Sequence, residues 1–135
     1  MQLTRLAYAS NHGGIADDAL DDILRRSRTN NDKDGITGVL VVSDEEFVQL
    51  LEGPRTAVSR CFMRIMQDVR HHHIRVLLAG AIESRLCAEG GMRCIATSQS
   101  DQGPLSRYWI NGTFEPDEMS EAAILGLCRD ISEST

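Results

Sequence analysis

Gln49 lies in the run Phe47-Val48-Gln49-Leu50-Leu51-Glu52-Gly53-Pro54, which reads as a short strand ending at a Gly-Pro corner. Side chains alternate faces along a strand, so Phe47, Gln49 and Leu51 share one face. An amide on an apolar face is costly unless its hydrogen bonds are met there. A carboxamide both donates and accepts, so a polar-edged cofactor lying on that face would suit it. Tyr8 projects from an earlier strand, where an inward tyrosine ordinarily packs its ring and ties down its hydroxyl. Asn30 and Asn31 are expected to follow the first helix, where asparagine commonly caps a C-terminus. Met92, at the start of a late strand, would ordinarily fill core space. Asp68, Arg70, His71, His72 and His73 form a polar cluster after the second helix. Adjacent histidines point in different directions and lack the i, i+3 or i+4 spacing of helical metal ligands. A solvated surface run or an anion contact is expected there, and no metal.

These residues must be positioned by a regular set of elements. Leu3 to Ser10 reads as a strand with Leu6 and Tyr8 on one face and Arg5, Ala7 and Ala9 on the other. Asn11-His12-Gly13-Gly14 breaks it. A helix is predicted from about Ala16 to Arg28, with Leu20, Ile23, Leu24 and Ser27 as its inward stripe. Thr29 to Gly35 reads as a polar loop, and Ile36 to Val42 as a β-branched strand joined to the Gln49 strand by a tight hairpin. Pro54 suits the first turn of a second helix marked by Val58, Cys61, Phe62, Ile65 and Met66. Strands follow at Arg75 to Ile82 and Met92 to Thr97, and then a polar stretch from Ser98 to Gly112. A last helix, about Pro116 to Ile131, is predicted to bury Met119, Ala123, Leu127 and Ile131. The order β-α-β-β-α-β-β predicts an α+β, ferredoxin-like mixed sheet with two helices on one face. A C-terminal helical extension is expected to cover the other face. The division expected is a domain over residues 1–97 and an extension over residues 98–135.

A chain of 135 residues fits one domain with a real core, and its 41% hydrophobic and 25% charged content is that of a soluble globular protein. The net charge of −6 argues against a nucleic-acid backbone as partner. No segment approaches the roughly 20 apolar residues that span a bilayer, and the N-terminus has no signal-peptide pattern, so a cytoplasmic protein without a membrane partner is expected. Cys61, Cys87, Cys94 and Cys128 form no C-x-x-C pair and read as buried thiols in a reducing compartment. No P-loop, Gly-x-Gly-x-x-Gly or Gly-x-Ser-x-Gly motif is present, so an enzyme is not expected.

Taken together, these residues resemble the BLUF family, the blue-light sensors using flavin. Arg5-Leu6-Ala7-Tyr8-Ala9-Ser10 is similar to its first-strand motif. Ile23-Leu24 through Ser27, Asn30-Asn31 and Gly35-Ile36-Thr37-Gly38-Val39-Leu40 resemble its helix-loop-strand signature. Phe47 to Pro54 resembles its most recognisable segment, and Arg64-Ile65 to Asp68, then Arg70-His71-His72, resembles the end of its second helix. The resemblance covers roughly Leu3 to Ala96. It implies a ferredoxin-like domain holding FAD non-covalently between its two helices; FMN shares the ring system and is not separated from FAD by these residues. By resemblance Tyr8 is the electron donor, Gln49 lies between its hydroxyl and the flavin N5/O4 edge, and Asn31 bonds the ring's carbonyl and imide edge beside Asn30. Ile23 and Ile65 would sandwich the ring, with Ser27 nearby and Arg28, Asp68, Arg70 and His71 around its edge, ribityl or phosphate.

Met92 would lie in the strand that carries the signal. Many family members have a tryptophan two residues before that methionine; Gly90 stands here, which predicts an easily moved strand. The resemblance further implies a stand-alone photoreceptor that signals through an unknown downstream protein or through a homo-oligomer. The competing readings are a light-independent protein-interaction module that retains the fold and a small acyl-phosphate hydrolase using Asn31 and an arginine.

Overall fold

The computed structural model describes residues 2–87, 92–96 and 104–133. Strand β1 (Leu3–Asn11), helix α1 (Asp17–Asp34), strands β2 (Thr37–Val42) and β3 (Glu46–Pro54), helix α2 (Arg55–Met66) and strands β4 (His72–Ile82) and β5 (Met92–Ala96) follow in that order. Two 3-10 turns, Pro104–Tyr108 and Pro116–Glu118, lead to helix α3 (Glu121–Glu133). The strands form one five-stranded sheet in the order β4-β1-β3-β2-β5. Pairing is antiparallel except between β2 and β5, which run parallel. This is the mixed ferredoxin-like arrangement that the element order predicts.

Alternation along the central strands makes two cores. Leu6, Leu40, Val42, Phe47 and Leu51 pack under α1 and α2 with Ile23, Val58 and Cys61. Ala7, Ala9, Val39, Val41, Val48 and Leu50 face the other way, where α3 covers them with Ile124, Leu127, Cys128 and Ile131. The inward stripe of α3 therefore differs from the predicted one. Met119 lies before the helix, which starts only after the Pro116 turn, and the i, i+3, i+4, i+7 series begins at Ile124.

Helix α1 is longer than predicted. Polar residues such as Thr29, Asn30 and Asn31 weaken a helix by only a fraction of a kcal/mol each, roughly 0.5 or so relative to alanine, and nothing from Thr29 to Asp34 forbids one. The first residue to leave the right-handed region is Gly35, with φ 72°, a conformation in which glycine has no Cβ penalty. Its N–H and that of Ile36 both donate to the Asn31 carbonyl. Asn30 and Asn31 are thus inside the last turns of α1, not beyond its end. The turn is packed against the Gly-Pro corner: a Cβ at Gly53 would lie 3.0 Å from the Gly35 carbonyl oxygen and 3.2 Å from Ile36 Cγ1. Strand β4 also begins earlier than expected, at His72 instead of Arg75.

Two side chains bind the sheet to the chain that leads towards β5. Glu52 is fully buried, opposite Arg5 in the β1–β3 register, and its carboxylate accepts from Arg5 Nε at 2.7 Å. The same carboxylate accepts from the Leu86 and Cys87 backbone N–H groups at 2.8 to 3.0 Å. The Arg85 guanidinium donates to Thr37 Oγ1 and to the Glu52 and Gly35 carbonyls.

Candidate functional site

Between the sheet and its two-helix face lies a pocket of about 190 Å³. Helix α1 lines it with Ile23, Arg26, Ser27, Asn30 and Asn31, an i, i+3, i+4, i+7, i+8 face that exists only because α1 runs on to Asp34. The sheet floor is Leu40, Phe47 and Gln49, with Leu40 and Gln49 paired across β2 and β3. From α2 and the turn after it come Cys61, Arg64, Ile65, Asp68, Arg70 and His71.

Gln49 is 4% exposed, and its Oε1 accepts a buried hydrogen bond from the Tyr8 hydroxyl. The two residues are direct partners in the β1–β3 register, which is why two strands 41 positions apart in sequence bring them together. Tyr8 is wholly buried beside Gln49 on the neighbouring strand and is not itself on the pocket wall. Burial raises its phenol well above the usual value, and the neighbouring Cys61 and Asp68 add to the effect. Tyr8 is therefore a neutral phenol. Its ring lies 5.5 Å from that of Phe62 and edge-on to His71 at 6.0 Å.

Asn31 is 1% exposed; its Oδ1 accepts from Cys61 Sγ at 3.7 Å, and among the described residues its buried Nδ2 has no hydrogen-bond partner. A buried donor left unmet costs about 1–3 kcal/mol. A planar ring with carbonyl acceptors on its edge would satisfy it, and Ile23 and Ile65 supply apolar contact from the two helices. The donor set fits a flavin on this ground.

Charge is arranged around the rim. Arg70 holds both Asp68 oxygens, at 2.8 to 3.2 Å, and reaches Asp22 on α1 at 3.1 Å, so it clasps the two sides of the site. The Arg70 hydrogen bonds keep the Asp68 carboxyl down at about 2. Burial lowers the His71 imidazole against a smaller upward pull from Asp68. His71 Nδ1 meets Ser10 Oγ at 2.8 Å, while His72 and His73 are exposed, so the three histidines do diverge.

The structure gathers most of the residues singled out in the sequence, with clear exceptions. Arg28 is exposed and absent from the pocket wall, because it lies five residues past Ile23, about 140° round the helix from the inward stripe. Arg26 and Arg64 take the basic positions instead. Arg26 is three residues after Ile23 and Arg64 three after Cys61, a signal that helix periodicity could have given. Leu40 was invisible without the strand register. The Met92 backbone pairs with Gly38, but its side chain and Gly90 lie outside the described residues. Trp109 packs against the cluster under α3, on the other side of the sheet from the pocket.

A helix-flanked pocket with Gln49 on its floor, a buried tyrosine hydrogen-bonded to that amide and an unmet amide donor on its wall makes this a small ferredoxin-like domain suited to a planar ring with carbonyl edges. Residues 3–93 match the family described as BLUF, sensors of blue-light using FAD. The chain belongs to the BLUF family. It is 33% identical over 94 residues to the blue light- and temperature-regulated antirepressor BluF of Escherichia coli, covering 67% of this chain and 23% of that protein. The chain thus spans about a quarter of the length of that relative. Among solved structures it is similar to BlsA in its photo-activated state, with a TM-score of 0.85, 28% identity and coverage of 98% of this chain and 96% of that one. It is also similar to Klebsiella pneumoniae BlrP1 with FMN and cyclic diGMP, with a TM-score of 0.65, 33% identity and coverage of 70% of this chain and 25% of that one.

Proposed function

We propose that the protein is a blue-light photoreceptor whose photoactive pair is Tyr8 and Gln49. The observation that carries this reading is the buried hydrogen bond from the Tyr8 hydroxyl to Gln49 Oε1 at the pocket floor. When bound, the flavin supplies blue-light absorption and, once excited, the oxidant for a nearby phenol. Oxidation makes the Tyr8 hydroxyl strongly acidic, and its proton has an existing path along the bond to Gln49 Oε1. When Tyr8 regains its electron and proton, the Gln49 amide can return rotated or as a tautomer. Either form changes which hydrogen-bonding atom Gln49 presents to the pocket, and a stronger bond to a ring carbonyl gives a red-shifted lit state. Asn31 Nδ2 would donate to a ring carbonyl on the imide edge, Ile23 and Ile65 would hold the two faces, and Ser27, Asn30, Asp68, Arg70 and His71 the remaining edges. FAD is the flavin we favour, in line with the family's description.

A local hydrogen-bond change must bias a bistable element to be read elsewhere. β5 is the element we favour: it pairs with β2, which neighbours the Gln49 strand, and it begins at Met92. Output would then pass by protein contact, in a sensor and not an enzyme, as the antirepressor name of the Escherichia coli relative suggests for that protein. Self-association is the finer reading. Met63, Met66 and Val69 are exposed apolar side chains around the end of α2, and size-exclusion chromatography is expected to show a homo-oligomer in at least one of the dark and lit states. A strict monomer in both would remove that idea. Among the described residues Cys61, Cys87 and Cys128 are free and buried, and no helix is long and apolar enough to cross a membrane. A cytoplasmic location is the one we favour.

An absorption spectrum before and after blue light tests the reading. Wild type is expected to carry a flavin spectrum that shifts red and recovers in darkness, and Gln49→Leu to bind flavin without the shift. A protein that stays colourless after flavin is added would leave a light-independent interaction module as the better account.

A further inference from the structure

Ser10 is fully buried two residues after Tyr8 on the same face of β1, and its hydroxyl is within 2.8 Å of His71 Nδ1. The backbone explains how a residue ahead of β4 reaches that face. The β1–β4 register slips between Ala9 and Asn11, which pair with Arg75 and His72, so two residues of β4, His73 and Ile74, stand against Ser10. His73 takes φ 51° there, a left-handed conformation in which non-glycine residues are uncommon and tend to be locally strained. A bulge of this kind re-aims the chain beside it. The His71 ring is turned into the site, 6.0 Å from the Tyr8 ring, 5.0 Å from Phe47, and on the pocket wall.

We propose that Ser10 is a positioning residue of the photosite: through its hydrogen bond to Nδ1 it fixes the ring plane of His71, and so how that imidazole sits on the pocket wall beside the Tyr8–Gln49 pair. The proposal rests on the flavin reading above. A serine hydroxyl can donate to a bare Nδ1 or accept from Nδ1–H, so the bond holds the ring in place in either protonation state. The groups acting on His71 are Ser10 and Tyr8 from β1, Phe47 from β3, His12 beyond β1, Asp68, Arg70 and His72 from its own turn, and Asp22 of α1 through Arg70. A hydroxyl accepts more strongly from a protonated imidazole than from a neutral one. Loss of Ser10 should therefore lower the midpoint at which His71 gains its proton.

The test uses Ser10→Ala, His71→Phe and the double variant. Nitrogen-15 NMR of histidine side chains reads the His71 protonation midpoint in flavin-free and flavin-loaded protein, and dark recovery after blue light is followed from pH 5 to 8. Wild type is expected to show a His71 midpoint below the ordinary histidine range and a recovery rate that steps there. Ser10→Ala is expected to lower both, with flavin content retained. His71→Phe is expected to abolish the step, and Ser10→Ala to add nothing on top of it. A Ser10→Ala protein with wild-type midpoint and recovery profile would overturn the proposal. So would a changed midpoint with an unmoved recovery profile, which would make the bond structural only. If no flavin binds, the photoreceptor reading fails by itself, and the flavin-free NMR spectrum still decides the Ser10–His71 bond.

Discussion

Tyr8→Phe is expected to keep the flavin and lose the light response. The substitution removes one oxygen from a residue that does not line the pocket, so the ring contacts with Phe62 and His71 and the pocket-lining set remain. What disappears is the donor to Gln49 Oε1. A phenylalanine ring is far harder to oxidise than a phenol and has no proton to send along that bond. Two readouts follow. The red shift after blue light should fall below detection, and flavin fluorescence should rise, because the phenol that quenches the excited ring by electron donation is gone. The stability change should be modest, about 1–3 kcal/mol for a buried acceptor that loses this partner. Absorption and fluorescence on one sample, with flavin content measured after denaturation, check all three. A full red shift in Tyr8→Phe would sink the assignment of Tyr8, and with it the proton route through Gln49. Trp109 offers no substitute donor nearby, since it packs against the cluster on the far side of the sheet.

Which parts of this site could be read from sequence follows from what fixed them. Gln49, Tyr8 and the element order rest on short-range rules, strand alternation and helix periodicity, and those hold in the structure. Asn30 and Asn31 were placed wrongly by a local rule. Asparagine favours helix ends, but here the αL residue that ends α1 is Gly35, and the packing of that turn on Gly53 outweighs the preference of the asparagines. In the α3 stripe Leu127 and Ile131 are buried as expected, while Ile124 and Cys128 take the inward positions expected of Met119 and Ala123, because the true start of the helix depends on the Pro116 turn. Ser10 and Glu52 were invisible as sites for a different reason. Both are polar residues in strands that read as β-rich, and the partners that make their burial tolerable, His71 and the Leu86–Cys87 backbone, come from 61 and about 35 positions away. Only the register of β1 with β3 and β4 puts them together.

Glu52→Ala is expected to be the most destabilising single substitution in the sheet. Its carboxylate is fully buried and does three things: it pairs with Arg5, whose side chain is 17% exposed, and it satisfies the Leu86 and Cys87 N–H groups. Alanine leaves a mostly buried guanidinium without this partner and two backbone donors unmet. Breaking one side of a buried ion pair costs about 3–5 kcal/mol. Domains of this size have only about 5–15 kcal/mol in total, so the midpoint of thermal unfolding should fall by roughly 10–20 °C. Glu52→Gln separates the two contributions: it removes the charge but keeps one carbonyl oxygen for the Leu86 or Cys87 N–H, and should lose less. The loss has a place as well as a size. The segment that Glu52 holds runs directly towards β5, so amide exchange at Leu86 and Cys87 should speed up in Glu52→Gln by more than the global change in stability predicts. Arg85, which ties the same segment to Thr37 and to the Gly35 and Glu52 carbonyls, and the Thr37 hydroxyl, which donates to the Cys87 carbonyl, would still hold it. Denaturant unfolding of Glu52→Ala with a loss under about 1 kcal/mol would show that the carboxylate is a bystander to stability.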